Sequence, residues 1–218
     1  MAFNVKTFYT RATTALVFVA LLLGCVWYSY YSFVAFFLFV ALIGLYEFYK
    51  LRLQIKLNKL IGVAYVLIPC VLLVIMAFDQ QKTFQPQKVL GMIFFIWIND
   101  TGAYLVGSFI GKHKLYEKIS PNKTWEGTIG GIALCIALSF VVANMFPQLA
   151  IIHWVAISVI VAVFGTLGDL VESMLKRMAG VKDSGTIMPG HGGVLDRFDS
   201  LFFATPFVFC YLALMGLL

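Results

Sequence analysis

Apolar runs long enough to cross a lipid bilayer recur along almost the whole chain. They lie near residues 9–27, 32–49, 60–78, 89–110, 128–146, 150–170 and 200–218. About 30 Å of hydrocarbon requires roughly 20 residues of helix, so each run predicts a transmembrane helix. Of the 218 residues, 61% are hydrophobic and only 12% are charged, and the mean hydropathy is +0.93. The sequence therefore predicts an all-α, polytopic integral membrane helix bundle of about seven transmembrane helices and excludes a soluble globular domain.

Basic residues are distributed unevenly between the connections that join these runs. With the N-terminus in the cytosol, fourteen of the 16 Lys and Arg residues fall on the cytosolic side, within 6–11, 50–59, 112–123 and 176–197. Only Lys82 and Lys88 fall outside. This bias predicts seven spans with a cytosolic N-terminus. We expect the protein to lie in a bacterial inner membrane. The net charge of +6 is then mainly a topology signal, with attraction to anionic headgroups secondary. We expect no nucleic-acid partner.

The N-terminal residues and the cysteines carry no further functional signal. No small-residue cleavage site follows Lys6 and Arg11, so we expect no cleaved signal peptide. The cysteines occur singly inside apolar runs, without the spacing of a zinc site. We expect each of them to be a small buried hydrophobic residue: Cys25, Cys70, Cys135 and Cys210.

Acidic residues gather in the second half of the chain. Eight of the ten Asp and Glu residues lie from Asp100 to Asp199, and only Glu47 and Asp79 lie elsewhere. The rule that places basic residues in the cytosol does not require acids there. A cluster of both signs therefore indicates a functional site at the cytosolic face of the membrane.

The segment PGHGGVLDRFDS, residues 189–200, directly precedes the last apolar run. A Gly-rich loop flanked by Lys and Arg is a candidate phosphate cradle, although glycines alone are weak evidence. Asp196 and Asp199 are three residues apart and share a face if the segment is helical. Two carboxylates on one face favour a hard cation such as Mg²⁺. His191 taken alone is more typical of a structural hydrogen-bonding residue than of a catalyst.

The segment GDLVESMLKRMAG, residues 168–180, predicts a helix that continues out of the bilayer with one polar and one apolar stripe. Its polar stripe contains Asp169, Glu172, Ser173, Lys176 and Arg177. An ordinary amphipathic helix at the interface is the alternative interpretation. Acidic side chains on a lipid-facing surface cost free energy, however, so their presence implies that other polar or charged groups pair with them.

Two other segments place polar residues beside apolar runs. In WINDTGAYLVG, Asn99 and Asp100 fall about halfway into the fourth run. A central carboxylate costs about 2.5–3.5 kcal/mol on insertion scales, so we expect Asp100 to face a polar cavity. The alternative is a shorter or re-entrant span with Asp100 at the interface. In SPNKTWEG, residues 120–127, the Ser-Pro pair and Glu126 are typical of a helix start, and Lys123 is also explained as a topology charge.

Together these segments resemble the phosphatidate cytidylyltransferases, also called CDP-diacylglycerol synthases. The resemblance covers roughly residues 97–205 and includes NDTGAYLVG and SPNKTWEG. It implies a catalytic region over 89–218, joined to N-terminal transmembrane helices over 1–88 in one continuous membrane domain. Members of this family usually carry more N-terminal spans, so this chain is short by comparison. The most specific part is a 27-residue signature, which consists of Ser173, Lys176, Arg177, Lys182, Asp183, Gly185, Pro189, Gly190, His191, Gly192, Gly193, Asp196, Arg197 and Asp199.

Membership of this family implies that CTP and phosphatidate react to give CDP-diacylglycerol and pyrophosphate, with Mg²⁺ as cofactor. The phosphate of phosphatidate is already an ionised nucleophile, so the reaction needs no strong general base. It needs charge compensation between two anions and an aligned geometry, which metal ions, Lys and Arg supply. Expected partners are CTP, phosphatidate, the membrane and a second copy of the chain in a homodimer.

The resemblance also implies roles for individual residues. We expect Asp196 and Asp199 to hold the metal, with Asp169 as a further ligand. We expect His191 to orient a phosphate or a ligand carboxylate, and Asp100 to line the cavity. The expected contacts to CTP phosphates or the lipid headgroup come from basic side chains and loop glycines: Lys123, Lys176, Arg177, Lys182, Arg197, Gly192 and Gly193.

Three other functions are weighed against this interpretation. A CTP-dependent polyprenol kinase would need a base to take the proton of a lipid hydroxyl, and the complete signature argues against it. A CDP-alcohol phosphotransferase is disfavoured because no DGxxAR-type run occurs. A transporter is disfavoured because the charges lie mainly at one membrane face and no inverted repeat is apparent.

Overall fold

The computed structural model of the chain describes residues 5–188 and 192–218. Its longest helices are α1 (Val5–Tyr28), α2 (Tyr30–Ile55), α5 (Gln87–Ile110), α6 (Trp125–Met145), α7 (Ile151–Met178) and α8 (Leu195–Leu214). The third span is made of α3 (Lys59–Gly62), a π-helical turn (Val63–Leu67) and α4 (Ile68–Met76). Helices α5 to α8 pack on one another in chain order, and α4 packs mainly against α8.

Six helical segments are long and apolar enough to cross a membrane, and the chain is an integral membrane protein. They are Tyr30–Ile55, Lys59–Met76, Gln87–Ile110, Trp125–Met145, Ile151–Met178 and Leu195–Leu214. The region predicted as a first span lies on α1. Its apolar part, Ala12–Tyr28, is shorter than the six spans. The predicted all-α membrane bundle is confirmed. The alternative of a short or re-entrant fourth span is wrong, because α5 is one continuous helix through Asp100.

Local sequence explains two interruptions in the helices. Ser29 has an extended backbone and caps α2, and its Oγ accepts a hydrogen bond from the Ser32 N–H at 3.2 Å. The π-helical turn ends at Leu67, two residues before Pro69 of α4. Proline has no N–H and its ring crowds the carbonyl four residues earlier, so the wider turn accommodates it within the span.

Two helix pairs position the site, and small residues at their contacts allow close approach. A Cβ added at Gly131 of α6 would lie 2.8 Å from the Asn99 carbonyl oxygen of α5. A Cβ added at Gly168 of α7 would lie 2.8 Å from the Asp199 carbonyl oxygen of α8. Such contacts are typical of membrane helices, which associate through small residues. They bring α5 against α6 and α7 against α8 at the level of the charged side chains.

A short hairpin joins α5 and α6, and the sequence did not predict it. Strands β1 (Lys114–Tyr116) and β2 (Ser120–Thr124) pair antiparallel, with Lys114 opposite Thr124. The interpretation of Ser-Pro as the helix start is wrong, because α6 begins at Trp125 and its N-cap is Thr124. The Thr124 Oγ1 accepts the Gly127 N–H at 3.1 Å. The Glu126 carboxylate accepts the backbone N–H of Lys112 at 3.1 Å and thereby ties the end of α5 to the start of α6.

The cysteines differ in their surroundings. Cys70 and Cys135 are buried, as predicted, and Cys25 is partly buried. Cys210 is exposed on α8, so the prediction of burial is wrong there. Its face of α8 points away from the bundle, within a span that crosses the membrane. Apolar side chains of a membrane span contact either lipid or neighbouring helices. Sequence alone does not separate lipid-facing from protein-facing positions.

Candidate active site

Asp196 organises the start of α8. Its Oδ2 accepts hydrogen bonds from the Gly193 N–H at 2.7 Å, from the Ser184 N–H at 2.9 Å and from the Ser184 hydroxyl at 2.9 Å. Its Oδ1 lies 2.5 Å from the Lys176 Nζ. Gly192 has a φ of +82°, a backbone conformation that favours glycine. The carboxylate therefore joins the residues before α8 to the polar stripe at the end of α7.

Lys176 lies between two buried carboxylates. Its Nζ is 2.5 Å from the Glu172 Oε2, one helical turn earlier on α7, and 2.5 Å from Asp196. The side chains of Glu172 and Asp196 are only 2% and 4% exposed, and that of Lys176 is 12% exposed. Within the described residues, no hydrogen-bond donor reaches the Glu172 Oε1. Breaking a buried charge cluster by removing one member is strongly destabilising, so the three side chains form a rigid unit.

A polar cavity of about 310 Å³ lies between α5, α6, β2 and α7, and we name it the first cavity. Asp169 lines it and forms an ion pair with Lys123 of β2, with 2.6 Å between Oδ2 and Nζ. Asn99 donates a hydrogen bond from Nδ2 to the Thr166 Oγ1 at 3.2 Å. The remaining residues that line the first cavity are Asp100, Ala103, Tyr104, Asn122, Thr124 and Thr128. The fold therefore brings the segments around Asn99, Lys123 and Asp169 to one place.

A second cavity of about 240 Å³ lies between α1, α5 and α8. Asp196, Arg197 and Asp199 of α8 line it, together with Asp100 of α5. Asp100 thus lines both cavities, and it lies in a polar cavity as the sequence predicts. The two cavities adjoin at Asp100, and we refer to them together as the composite site.

The predicted site residues divide into three groups. Those that line the two cavities are Asp100, Lys123, Asp169, Asp196, Arg197 and Asp199. Lys176 and Gly193 join this group through their contacts with Asp196, and Gly192 pairs its backbone with Met188 nearby. Arg177 and Lys182 are exposed and line neither cavity. His191 lies outside the described residues.

The chemistry of the acids bears on the predicted magnesium site. Among the described residues, no cluster of three or more His, Cys, Asp or Glu side chains is arranged to hold a metal ion. Mg²⁺ commonly takes one or two carboxylates and completes its shell with water and substrate phosphates. Asp100 and Asp199 form no ion pair within the described part of the chain, so these carboxylates fit that mode. Both oxygens of Asp196 already have partners, and its metal role stays a prediction.

The sequence analysis missed residues that support the site. Glu47 of α2, which is 2% exposed, accepts hydrogen bonds from the backbone N–H groups of Val194 and Leu195. It also accepts one from the hydroxyl of Ser184. The signal was present, because Glu47 lies inside an apolar run as Asp100 does. An acid in such a run indicates a buried partner, and the partner here is 147 residues away in sequence from Glu47.

Comparisons with known proteins identify a family and individual relatives of this chain. Residues 52–215 match the sequence profile of the cytidylyltransferase family. A phosphatidate cytidylyltransferase of Bacillus subtilis is 54% identical over 123 residues, which are 56% of this chain and 45% of the relative. A phosphatidate cytidylyltransferase of Staphylococcus epidermidis is 49% identical over 133 residues, which are 60% of this chain and 51% of the relative.

The matches cover most of this chain but only part of its relatives. The chain spans about half the length of the curated relatives it matches. The family match begins at residue 52, upstream of the predicted catalytic boundary at residue 89, and that boundary stays a prediction. It extends through the hairpin, α7 and α8, which carry Lys123, Asp169 and Asp199. Because the profile matches most of the chain, the protein belongs to the cytidylyltransferase family.

Proposed function

We propose that this chain is a phosphatidate cytidylyltransferase, which converts CTP and phosphatidate into CDP-diacylglycerol and pyrophosphate. The relatives named above supply the substrate class, and the membrane-spanning fold suits a lipid substrate. The observation that carries the proposal is the composite site, where Asp100 is shared by two cavities that contain Lys123 and Arg197. A reaction between two phosphate-bearing substrates needs both the metal-binding acids and the compensating cations.

An apolar groove beside the site supports an amphipathic substrate. It has a volume of about 370 Å³ and lies between α1, α2 and α8, with Val17, Leu21 and Phe39 among its lining residues. It shares Phe18 and Met188 with the second cavity. An acyl chain in this groove would place an attached phosphate beside the charged residues of the second cavity.

The proposed chemistry is one displacement at phosphorus. A phosphate oxygen of phosphatidate attacks the α-phosphorus of CTP, and a new P–O bond forms between them. The bond from the α-phosphorus to the oxygen that bridges to the β-phosphate breaks, and its electron pair leaves with pyrophosphate. Lys123 and Arg197 compensate the negative charge of the two substrates, and Lys176 is held rigidly at the edge of the site by its two carboxylates. Alignment of the two substrates within the composite site supplies the remaining advantage.

Magnesium is the proposed cofactor. Asp100 and Asp199, which both line the second cavity, are the residues that would hold it, and the roles of Asp169 and Asp196 as further ligands stay predictions. When bound, Mg²⁺ neutralises phosphate charge and stabilises the leaving pyrophosphate. Asp169 also pairs with Lys123 at 2.6 Å, so this acid and this base are placed to contact the same phosphate group and its ion.

The location of the site sets the proposed topology. Its residues lie at one end of the bundle, where the basic connections 112–123 and 176–197 also lie. We infer that this end faces the cytosol of a bacterial inner membrane, with the N-terminus on the same side. CTP is then available from the cytosol, and phosphatidate enters from the bilayer. The homodimer expected from the family resemblance remains a proposal.

The purified chain tests the proposal when it is incubated with CTP, phosphatidate and Mg²⁺. We expect pyrophosphate and a CDP-lipid to form in equal amounts. Lys123→Ala should lower the rate by about a hundredfold, since it removes a positive charge that lines the first cavity. Lys59→Ala is the matched control, because it removes an exposed lysine at the same end of the bundle, and its rate should equal that of the parent. Formation of CDP and a phosphorylated lipid would overturn the proposal.

A further inference from the structure

Glu47 is a buried carboxylate that connects the N-terminal helices to the composite site. It lies on α2, upstream of the residues that match the family profile. Its Oε1 accepts a hydrogen bond from the Val194 N–H at 3.0 Å, and its Oε2 accepts one from the Leu195 N–H at 2.9 Å. The carboxylate is 2% exposed, so these bonds replace all of its contact with solvent.

These bonds satisfy the start of α8. The first N–H groups of a helix have no partner inside it, and a negative charge there interacts favourably with the helix dipole. Val194 is the N-cap of α8 and has no side-chain group to cap it. Glu47 supplies the missing acceptors from another helix, so α2 fixes where α8 begins.

A hydroxyl links Glu47 to Asp196. The Ser184 Oγ lies 3.0 Å from the Glu47 Oε2 and 2.9 Å from the Asp196 Oδ2. A hydroxyl has one hydrogen to donate, so the two carboxylates share it. Asp196 in turn lies 2.5 Å from Lys176. A continuous chain of polar contacts therefore runs from α2 to the lysine at the site.

The surroundings of Glu47 are built for this contact. A Cβ added at Gly193 would lie 2.5 Å from both carboxylate oxygens of Glu47. A Cβ added at Gly185 would also collide with the Glu47 carboxylate. Glycine at both positions permits the close approach of the backbone, which any other residue would prevent.

We propose that Glu47 is a positioning residue of the reaction. It fixes the start of α8 and Ser184, so that Asp196 holds Lys176 in its working position. The inference rests on the proposed function. A residue of the N-terminal helices, on this view, sets the rate of a reaction whose substrates it does not touch.

Glu47→Gln is the direct test, because it keeps the volume but removes the charge and turns an N–H₂ group toward backbone donors. We expect kcat for CDP-lipid formation to fall on the order of tenfold or more, since small displacements at a site are costly. We expect KM for phosphatidate to stay within about twofold, and amide exchange at Val194 and Leu195 to accelerate. Asp79→Asn is the matched control, because Asp79 also binds loop N–H groups, at the opposite end of the bundle.

Two additional variants keep the test decisive if Glu47→Gln does not fold. Ser184→Ala retains the bonds from Glu47 to α8 but removes the link to Asp196, and it should lower kcat as well. Glu47→Asp keeps the charge and should recover part of the kcat that Glu47→Gln loses. A parental kcat in folded Glu47→Gln or in Ser184→Ala, with only a lower melting temperature, would overturn the inference. An inactive parent chain would instead overturn the proposed function.

Discussion

Asp196 and Asp199 lie one turn apart on α8, yet their partners differ. Asp196 receives Lys176 and three hydrogen-bond donors, which makes it a structural centre of the site. Asp199 accepts one hydrogen bond from the N–H of the adjacent Ser200 at 2.6 Å and lines the second cavity. The same residue type therefore has two different sets of contacts within four residues of sequence.

This difference predicts distinct effects of two neutral substitutions. Asp196→Asn should lower both stability and activity, because a lost hydrogen bond to a charged group costs about 1.5–3 kcal/mol. Asp199→Asn should keep the melting temperature and lower kcat about a hundredfold, because it removes charge that faces substrate and metal. Thermal unfolding and turnover of both variants, with and without Mg²⁺ and CTP, measure this.

Thermal stabilisation by Mg²⁺ and CTP tests whether Asp199 belongs to the metal site. A ligand stabilises a protein only as far as it binds, so Asp199→Asn should lose most of the stabilisation by Mg²⁺ and CTP. Full stabilisation and a parental Mg²⁺ response in the Asp199→Asn variant would show that Asp199 is not part of the metal site.

The sequence predicted individual site residues better than their partners. An acid within an apolar run was sufficient to place Asp100 in a polar cavity, because the cost of burying a charge is a local property. The partners of Glu47 and Asp196 depend on which helices meet, and α2 and α8 meet only in the folded bundle. Periodicity and spacing contain no information on that contact.

At the scale of helices, glycine contacts determine how closely the site residues approach. Gly131 of α6 packs against Asn99 of α5, beside the first cavity. Each predicted apolar run overlaps one observed helix or span, because hydropathy identifies the segments that cross the membrane. The helices α2 and α7 extend six and eight residues past the predicted ends at 49 and 170. The hairpin β1–β2 was missed because its strands are short and polar. The Glu126 carboxylate accepts hydrogen bonds from the backbone N–H groups of Lys112 and His113, directly before β1, and holds the hairpin in place.

Gly131→Ala should therefore destabilise the protein by about 1–3 kcal/mol, the usual cost of overpacking a well-packed contact. The added methyl would lie 2.6 Å from the Asn99 Oδ1 and 2.8 Å from its carbonyl oxygen. Gly24→Ala on α1 is the control, because a Cβ there meets no atom within 4 Å. Its stability should be unchanged or slightly higher, as alanine favours helix. Equal melting temperatures for the two variants would contradict the packing described for α5 and α6.

At the scale of the whole molecule, the one-sided site requires one orientation in the membrane. Single cysteines at Lys118 and Lys182 should react with a membrane-impermeant maleimide only from the cytosolic side, in a chain whose native cysteines are replaced by alanine. A cysteine at Gln81, in the connection at the other end, should react only from outside. All three positions are exposed. Labelling of Lys118→Cys and Lys182→Cys from opposite sides would contradict a single composite site.

The fate of the CTP phosphates tests the central claim most directly. The purified chain is given phosphatidate, Mg²⁺ and CTP labelled either at the α-phosphate or at the γ-phosphate. Displacement at the α-phosphorus predicts that the α-label enters the lipid and that the γ-label appears in pyrophosphate. Entry of the γ-label into lipid, with the α-label left in soluble CDP, would contradict cytidylyl transfer and show phosphoryl transfer instead.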